Sequence, residues 1–309
     1  MSTLTAEIVP NRARLLAAFA AIYLIWGSTY LAIRFAIETM PPFLMAGTRF
    51  LIAGAILYAW ALRRGVTPPT PIQWRAAAVI GGLLMLGGNG GVVWAEQRVP
   101  SSLAALMVAT VPLWMALLNW AWQNGPRPEG RLGLGLGLGF AGILLLIGPS
   151  ELMGSQRIDL AGAAALLIST LSWATGSLYS RRAPLPTAPL LAPAMQMLGG
   201  GALMAIVSAL LGEWSRVDWG AISLRSLLAY SYLIAFGSLI AFSAYVWLLR
   251  VTTPARVATY AYVNPLIAVI LGWALGGEPL TPRTVLAAAV IIAAVVAITT
   301  YQPKGLPHK

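Results

Sequence analysis

Residues Tyr260 to Pro279 read YAYVNPLIAVILGWALGGEP, and the reading of this stretch decides the fold. It is apolar enough to lie in lipid, yet it carries Tyr260, Tyr262 and Asn264 just ahead of Pro265. Leu106 to Pro126, LMVATVPLWMALLNWAWQNGP, has the same plan. A shift of 153 positions brings Pro112 onto Pro265 and Pro126 onto Pro279, and also Trp94 onto Trp247. Ile25-Trp26-Gly27-Ser28 has its counterpart in Ser172-Trp173-Ala174-Thr175. A chain that writes one unusual helix twice reads as two copies of one unit.

Of the 309 residues, 59% are hydrophobic and 9% charged. A soluble domain carries roughly 25% charged residues, so this chain is read as a membrane protein. Apolar runs of about 20 residues span a bilayer as helices. The pattern predicts ten, over 15–36, 42–62, 75–95, 101–123, 131–148, 160–180, 189–211, 226–248, 254–276 and 282–301. Short connections rich in Pro, Gly and charge separate them, such as Pro41-Pro42, Gly125-Pro126 and Gly277-Glu278-Pro279. No soluble domain fits between them. The expected fold is an all-α integral membrane protein. Its ten transmembrane helices form two inverted five-helix repeats, 1–150 and 151–309, around a central cavity. Five is odd, so the second copy enters the bilayer from the opposite side. Transporters built in this way hold substrate near the midplane, where the halves meet.

The formal net charge is +11. In a soluble protein that would suggest nucleic acid; here it follows from orientation, because cytoplasmic loops collect Lys and Arg. With the N-terminus inside, the inner segments hold Arg12, Arg14, Arg63, Arg64, Arg75, Arg127, Arg131, Arg181, Arg182, Arg250, Arg256, Lys304 and Lys309. The outer loops hold only Arg98, Arg157, Arg216, Arg225 and Arg283. Both termini are expected in the cytoplasm of a bacterial inner membrane. The implied partners are the lipid bilayer and a small-molecule substrate, with no nucleic acid, and the expected working unit is a single chain. There is no cysteine, so disulfides, iron–sulfur clusters and thiol catalysis are excluded. The one histidine, His308, sits beside the end, so no histidine metal site or proton relay is expected. No cofactor is implied. No small-residue cleavage site follows the first apolar run, so no removable signal peptide is expected.

In lipid a polar side chain has no water to satisfy it, so polar faces turn toward protein or a wet cavity. In the first helix Tyr23, Trp26, Tyr30 and Arg34 recur at spacings of three and four and share a face. Ser169, Trp173 and Ser177 share one in the sixth, and Tyr260 and Asn264 one in the ninth. Asn89 lies deep in the third, within Gly87-Gly88-Asn89-Gly90-Gly91. The predicted substrate-binding set is Trp26, Tyr30, Asn89, Trp173, Ser177, Tyr260 and Asn264. The blander reading of these residues is helix–helix packing with interfacial aromatics. Pro112 and Pro265 each remove a backbone donor in mid-helix and are candidate kinks for gating. Arg49, in the second helix, is a costly intramembrane charge that could attract a carboxylate; Arg34 is read as reaching the surface. The run Gly133 to Gly139 has no preceding strand and no lysine in Walker spacing, so it reads as a packing face rather than a nucleotide loop.

The acids fall in loops or at helix ends, with Glu96 nearest the membrane interior. Proton-driven transporters place a carboxylate or histidine within the membrane, so transport without obligatory proton coupling is expected.

Several of these motifs resemble the EamA family of the drug/metabolite transporter superfamily. They are Tyr23-Leu-Ile-Trp26-Gly-Ser-Thr-Tyr30, Pro41-Pro42, Gly47-Thr-Arg49-Phe50, Ala109-Thr-Val-Pro112, Tyr260-Ala-Tyr-Val-Asn264-Pro265 and Gly277-Glu278-Pro279. The resemblance covers both halves and is closest to a branch related to an aromatic amino-acid exporter. It implies two inverted repeats around a central cavity, export of small metabolites, and cavity positions for Trp26 and Trp173. The first half reads Asn124-Gly125 where the second reads Gly277-Glu278, so a symmetric pair of glutamates is not implied.

The expected function is a secondary transporter exporting amino acids, aromatic and other neutral ones favoured, or similar small metabolites, by alternating access. The alternative is a multidrug or other metabolite exporter of the same fold. A membrane-embedded lipid enzyme would need a nucleophile with a base, a metal site or paired carboxylates, and no such group is read within the spans.

Overall fold

The computed structural model describes residues 11–95, 97–98, 107–128, 130–147, 159–276 and 281–301. The expected start of the fourth helix at 101, Glu96, Glu278 and the side chain of Tyr30 lie outside this description. All regular structure among the described residues is helical. In chain order the main helices are α1 Arg12–Ile37, α2 Pro42–Arg63, α3 Pro71–Ala95, α4 Val111–Gln123, α5 Gly130–Ile147, α6 Leu160–Ser180, α7 Leu191–Leu210, α8 Leu224–Val251, α9 Tyr260–Gly276 and α10 Pro282–Thr299. Among the described residues, seven helices (α1, α2, α3, α6, α7, α8 and α10) are long and apolar enough to cross a membrane, and α5 is a shorter apolar helix. Large apolar side chains such as Leu160, Ile168, Leu210 and Leu228 stand exposed on them, as a lipid-facing surface requires.

Local chemistry sets the helix ends. Asp159, Ser223 and Thr281 cap α6, α8 and α10 by accepting the N–H of Gly162, Ser226 and Thr284. Thr70 and Gln73 form a reciprocal capping box with Pro71 at the first helical position, so α3 begins at 71 rather than at 75. Gly212, at φ +69°, follows α7, and Asn124, at φ +53°, ends α4. The left-handed conformation breaks the helical course at both points. Pro112 differs from expectation. It is the second residue of α4, where the missing N–H has no helical partner to lose. Pro265, by contrast, lies inside α9.

Three helices carry widened π-helical turns: Ala21–Ile25 in α1, Gly82–Gly90 in α3 and Leu233–Phe242 in α8. Such turns tend to occur at functional sites. Those of α3 and α8 overlap under the 153-position shift.

Bilayers supply no hydrophobic force between helices, so close packing through small residues must hold them together. α2 and α7 run antiparallel: Gly47 abuts Gly201 and Ala205, and Gly54 abuts Ala194 and Leu198. α7 also lies on α3, with Gly81 against the backbone of Gln196 and Gly200. α5 and α10 pair antiparallel through Gly135 on Ala294 and Ile298, and Gly142 on Ile291. α6 covers α3, while α1 packs on α8 and α9. Glu213 lies at a helix end, just beyond α7, as the sequence suggests. It is buried and accepts the N–H of Phe43 (3.3 Å) and of Leu44 (2.7 Å) and the Ser208 hydroxyl (2.8 Å). It thereby caps the first turn of α2, where a negative charge is favourable.

A Cβ at position 81 would sit 2.3 Å from the Gln196 carbonyl oxygen, whereas at Gly137 it would meet nothing within 4 Å. Gly81→Ala should therefore destabilise the purified protein by roughly 1–3 kcal/mol through overpacking. Gly137→Ala should leave the melting temperature in detergent unchanged or slightly raised. Equal melting curves for the two variants would contradict this packing.

Candidate functional site

Helices from both halves of the chain enclose a cavity of about 120 Å³. Its wall includes Trp26 and Thr29 from α1, Arg49 and Phe50 from α2, Gly88 and Asn89 from α3, Ser169 and Trp173 from α6, Gly237 and Phe242 from α8, and Tyr260 and Asn264 from α9. An apolar cavity of ~150 Å³ admits a benzene-sized solute, so this one has the scale of a single ring.

Four rings form a cluster at the wall. Trp26 meets Trp173 edge-on at 5.8 Å and Tyr260 edge-on at 5.0 Å. Tyr245 lies 5.0 Å from Trp26, 5.5 Å from Trp173 and 5.8 Å from Tyr260. Edge-to-face contacts at these separations align ring edges with π-faces. Both indole N–H groups are satisfied: Trp26 Nε1 donates to the Gly237 carbonyl at 3.2 Å and Trp173 Nε1 to the Tyr245 hydroxyl at 2.9 Å. Gly88 makes room for Trp173, since a Cβ there would stand 2.7 Å from the indole.

The charge on the wall comes from α2. Arg49 is buried and stacks on Phe50, with Cζ 4.4 Å from the ring centre. Its Nη2 donates to Asn89 Oδ1 at 3.1 Å, while Nε is enclosed without a partner. Ser169 Oγ is likewise enclosed without a partner. Arg49 is the one charged side chain on the wall among the described residues.

The structure brings together Trp26, Asn89, Trp173, Tyr260 and Asn264 of the expected set. Ser177 stands apart: it is fully enclosed behind the cluster, its hydroxyl 2.6 Å from the Trp173 carbonyl and 2.5 Å from the Tyr245 hydroxyl. Its contact is with Tyr245, not with the cavity. Asn264 is on the wall, but its amide nitrogen, assigned from the hydrogen-bond network, is committed to the carbonyls of Tyr23 (3.2 Å) and Tyr260 (3.0 Å). It ties α9 to α1. Tyr23 adds to this tie through Thr259 at 2.6 Å, and Arg34 is exposed. Tyr245 and Phe242 were not anticipated. Both lie in an apolar stretch whose aromatics carry no spacing signal, and position 92, the counterpart of Tyr245 under the 153-position shift, is Val92.

The EamA-like transporter family matches residues 13–148 and again 160–300. This chain belongs to the EamA-like transporter family. Among relatives, the inner membrane transporter YedA of Escherichia coli (strain K12) is 43% identical over 286 residues, covering 92% of this chain and 90% of YedA. The transporter YvbV of Bacillus subtilis (strain 168) is 27% identical over 307 residues, covering 95% of this chain and 93% of YvbV. A solved crystal structure superposes with a TM-score of 0.74 at 25% identity, covering 93% of this chain and 97% of its own. The EamA domain thus occurs twice in this chain, and the cavity of this family member lies between residues of the two copies.

Tyr245→Phe removes the acceptor of the Trp173 N–H. A buried donor left unpaired costs about 1–3 kcal/mol, so the variant should melt at lower temperature while eluting as a folded species. Ser177→Ala should also destabilise, because the buried Tyr245 hydroxyl loses its acceptor, although the indole keeps its own. A Tyr245→Phe protein as stable as wild type would contradict this network.

Proposed function

We propose that this protein is a multi-pass transporter of the bacterial inner membrane. It exports amino acids, aromatic and other neutral ones favoured, or similar small amphipathic metabolites, by alternating access. The carrying observation is the ring-sized cavity walled by both family domains, where Trp26 of one meets Trp173 of the other. Aromatic faces would stack on the apolar part of the solute, and Asn89 and Tyr260 would meet its polar part.

The architecture in this proposal is ten transmembrane helices in two oppositely inserted repeats, 1–150 and 151–309. The antiparallel pairing of α2 with α7 and of α5 with α10 supports it, since each pair joins matched helices of the two domains. So do the matched π-helical turns of α3 and α8. The distribution of Arg and Lys supports cytoplasmic termini, and the kinship with YedA supports the inner membrane. Exchange of conformation between the halves would open the cavity to each side in turn. The proposed transport runs down the substrate's own gradient, because no carboxylate lines the cavity among the described residues.

Counterflow in proteoliposomes, screened over amino acids, tests this reading. Trp26→Ala and Trp173→Ala should each lower the rate of the best substrate at least about tenfold, on the scale of one aromatic contact, with Phe variants intermediate and the protein monodisperse. Wild-type rates for both Ala variants would remove the rings from the site. Collapsing the pH gradient alone should leave counterflow unchanged; a clear change in rate would contradict uncoupled transport.

A further inference from the structure

We propose that Arg49, held by Asn89, is an anion-binding subsite, and that the transported solute is an amphipathic carboxylate: a ring-sized apolar body bearing one carboxylate group. This deepens the reading of the cavity as the transport site and rests on it.

The argument begins with cost. A guanidinium taken out of water is strongly disfavoured unless charge and hydrogen bonds compensate it. Arg49 is 5% exposed. Its one hydrogen bond goes to a neutral acceptor, Asn89 Oδ1. Its Nε has no partner. The one buried carboxylate among the described residues, Glu213, is already committed to two backbone N–H groups and a serine hydroxyl. Arg49 forms no salt bridge with any described residue. An arginine kept only to join helices would be expected to spend its donors on backbone carbonyls, as Arg181 does on those of Leu249 and Thr252. Arg49 instead leaves Nη1 without a hydrogen bond to any described residue and not enclosed, beside a cavity that it lines.

The second part is position. Phe50 stacks on the guanidinium and Asn89 takes one Nη, so the planar fork is held while its other donors stay unused. A carboxylate is the natural complement of such a fork, through charge-assisted and often bidentate bonds. Asn89 is therefore a positioning residue. Its neighbour Gly88 carries the Trp173 ring, so cation and aromatic wall adjoin within one chamber. No acidic side chain lines that chamber among the described residues. An ammonium on the solute would meet only neutral groups, whereas a carboxylate meets a fixed positive charge.

Three probes with the same ring separate these contributions: phenylalanine, 3-phenylpropionate, which lacks the ammonium, and phenylalaninamide, which lacks the carboxylate. Binding is measured by calorimetry on the purified full-length protein. Phenylalanine and 3-phenylpropionate should bind comparably, and phenylalaninamide at least about tenfold more weakly, the scale of one hydrogen bond to a charged group. Arg49→Gln should abolish that discrimination, and Arg49→Lys should retain part of it, since an ammonium keeps the charge but not the fork. Asn89→Ala should weaken it without abolishing it. Wild-type protein that binds phenylalaninamide as tightly as phenylalanine overturns the proposal, as does an Arg49→Gln variant that still discriminates. Should Arg49→Gln fail to fold, the wild-type comparison alone decides. Trp173→Ala separates the two levels of the argument. It should weaken all three probes together, and unchanged binding of all three would overturn the cavity reading itself.

Discussion

The backbone contact among α2, α3 and α7 is the constraint on which the cavity depends. Lipid tails are as apolar as leucine, so no solvent force presses these helices together. They are held because Gly47, Gly54, Gly81, Gly200 and Gly201 remove the side chains that would keep them apart. Contact at that range leaves little freedom in the register of α2 against α3. That register sets Arg49 3.1 Å from Asn89. Glu213 adds a polar clamp by capping the start of α2 from beyond the end of α7. Together these contacts form a stiff scaffold on which one wall of the cavity is mounted. The remaining wall belongs to α1, α4, α6, α8 and α9, and there aromatic rings join small residues such as Gly27 in making the contacts.

Duplication gives the two halves the same course, but not the same chemistry. Under the 153-position shift Asn89 falls on Phe242, and both line the cavity. One is an amide that holds a guanidinium, and the other an apolar ring. At the 147-position offset that pairs Trp26 with Trp173, Arg49 falls on Gln196, a neutral amide. Among the described residues the chamber therefore draws its charge from the first domain alone, although Ser169, Tyr260 and Asn264 of the second also line it. A solute bound there would be oriented, since a cation on one side and rings beside it do not tolerate reversal of an amphipathic molecule. In the proposed mechanism the two domains would supply the moving frame, and their differences the recognition.

Much of this was legible in the chain. Composition fixed the membrane class because charge is expensive in lipid. The paired Tyr260–Pro279 and Leu106–Pro126 stretches pointed to duplication, and the polar faces of α1, α6 and α9 to a common interior. Trp26, Trp173, Asn89, Tyr260 and Asn264 do meet at one cavity. Other features depended on packing, which spacing does not encode. Ser177 shares a face with Trp173, yet it is covered by Tyr245. Tyr245 lies in a largely apolar run, and its first-half counterpart at the 153-position shift is Val92, so duplication does not single it out. Pro112 was read as a mid-helix kink because the apolar run continues through it, but the helix restarts one residue earlier, at Val111. Glu213 looked like a loop acid, and only the fold carries the start of α2 to it. Arg49 was conspicuous as a charge, but its shortage of partners is a property of the folded state.

The central claim is a water-accessible chamber between the two domains that opens to each face of the membrane in turn. The chain has no cysteine, so a single cysteine introduced on the cavity wall reports without background. Thr29 is on that wall, and its side-chain hydroxyl bonds only the Trp26 carbonyl of its own helix. The deciding measurement is labelling of Thr29→Cys by a membrane-impermeant maleimide in right-side-out and inside-out vesicles. The account predicts modification from both sides, at rates that transported solute slows. Modification by lipid-soluble reagents alone, from neither aqueous side, would contradict it.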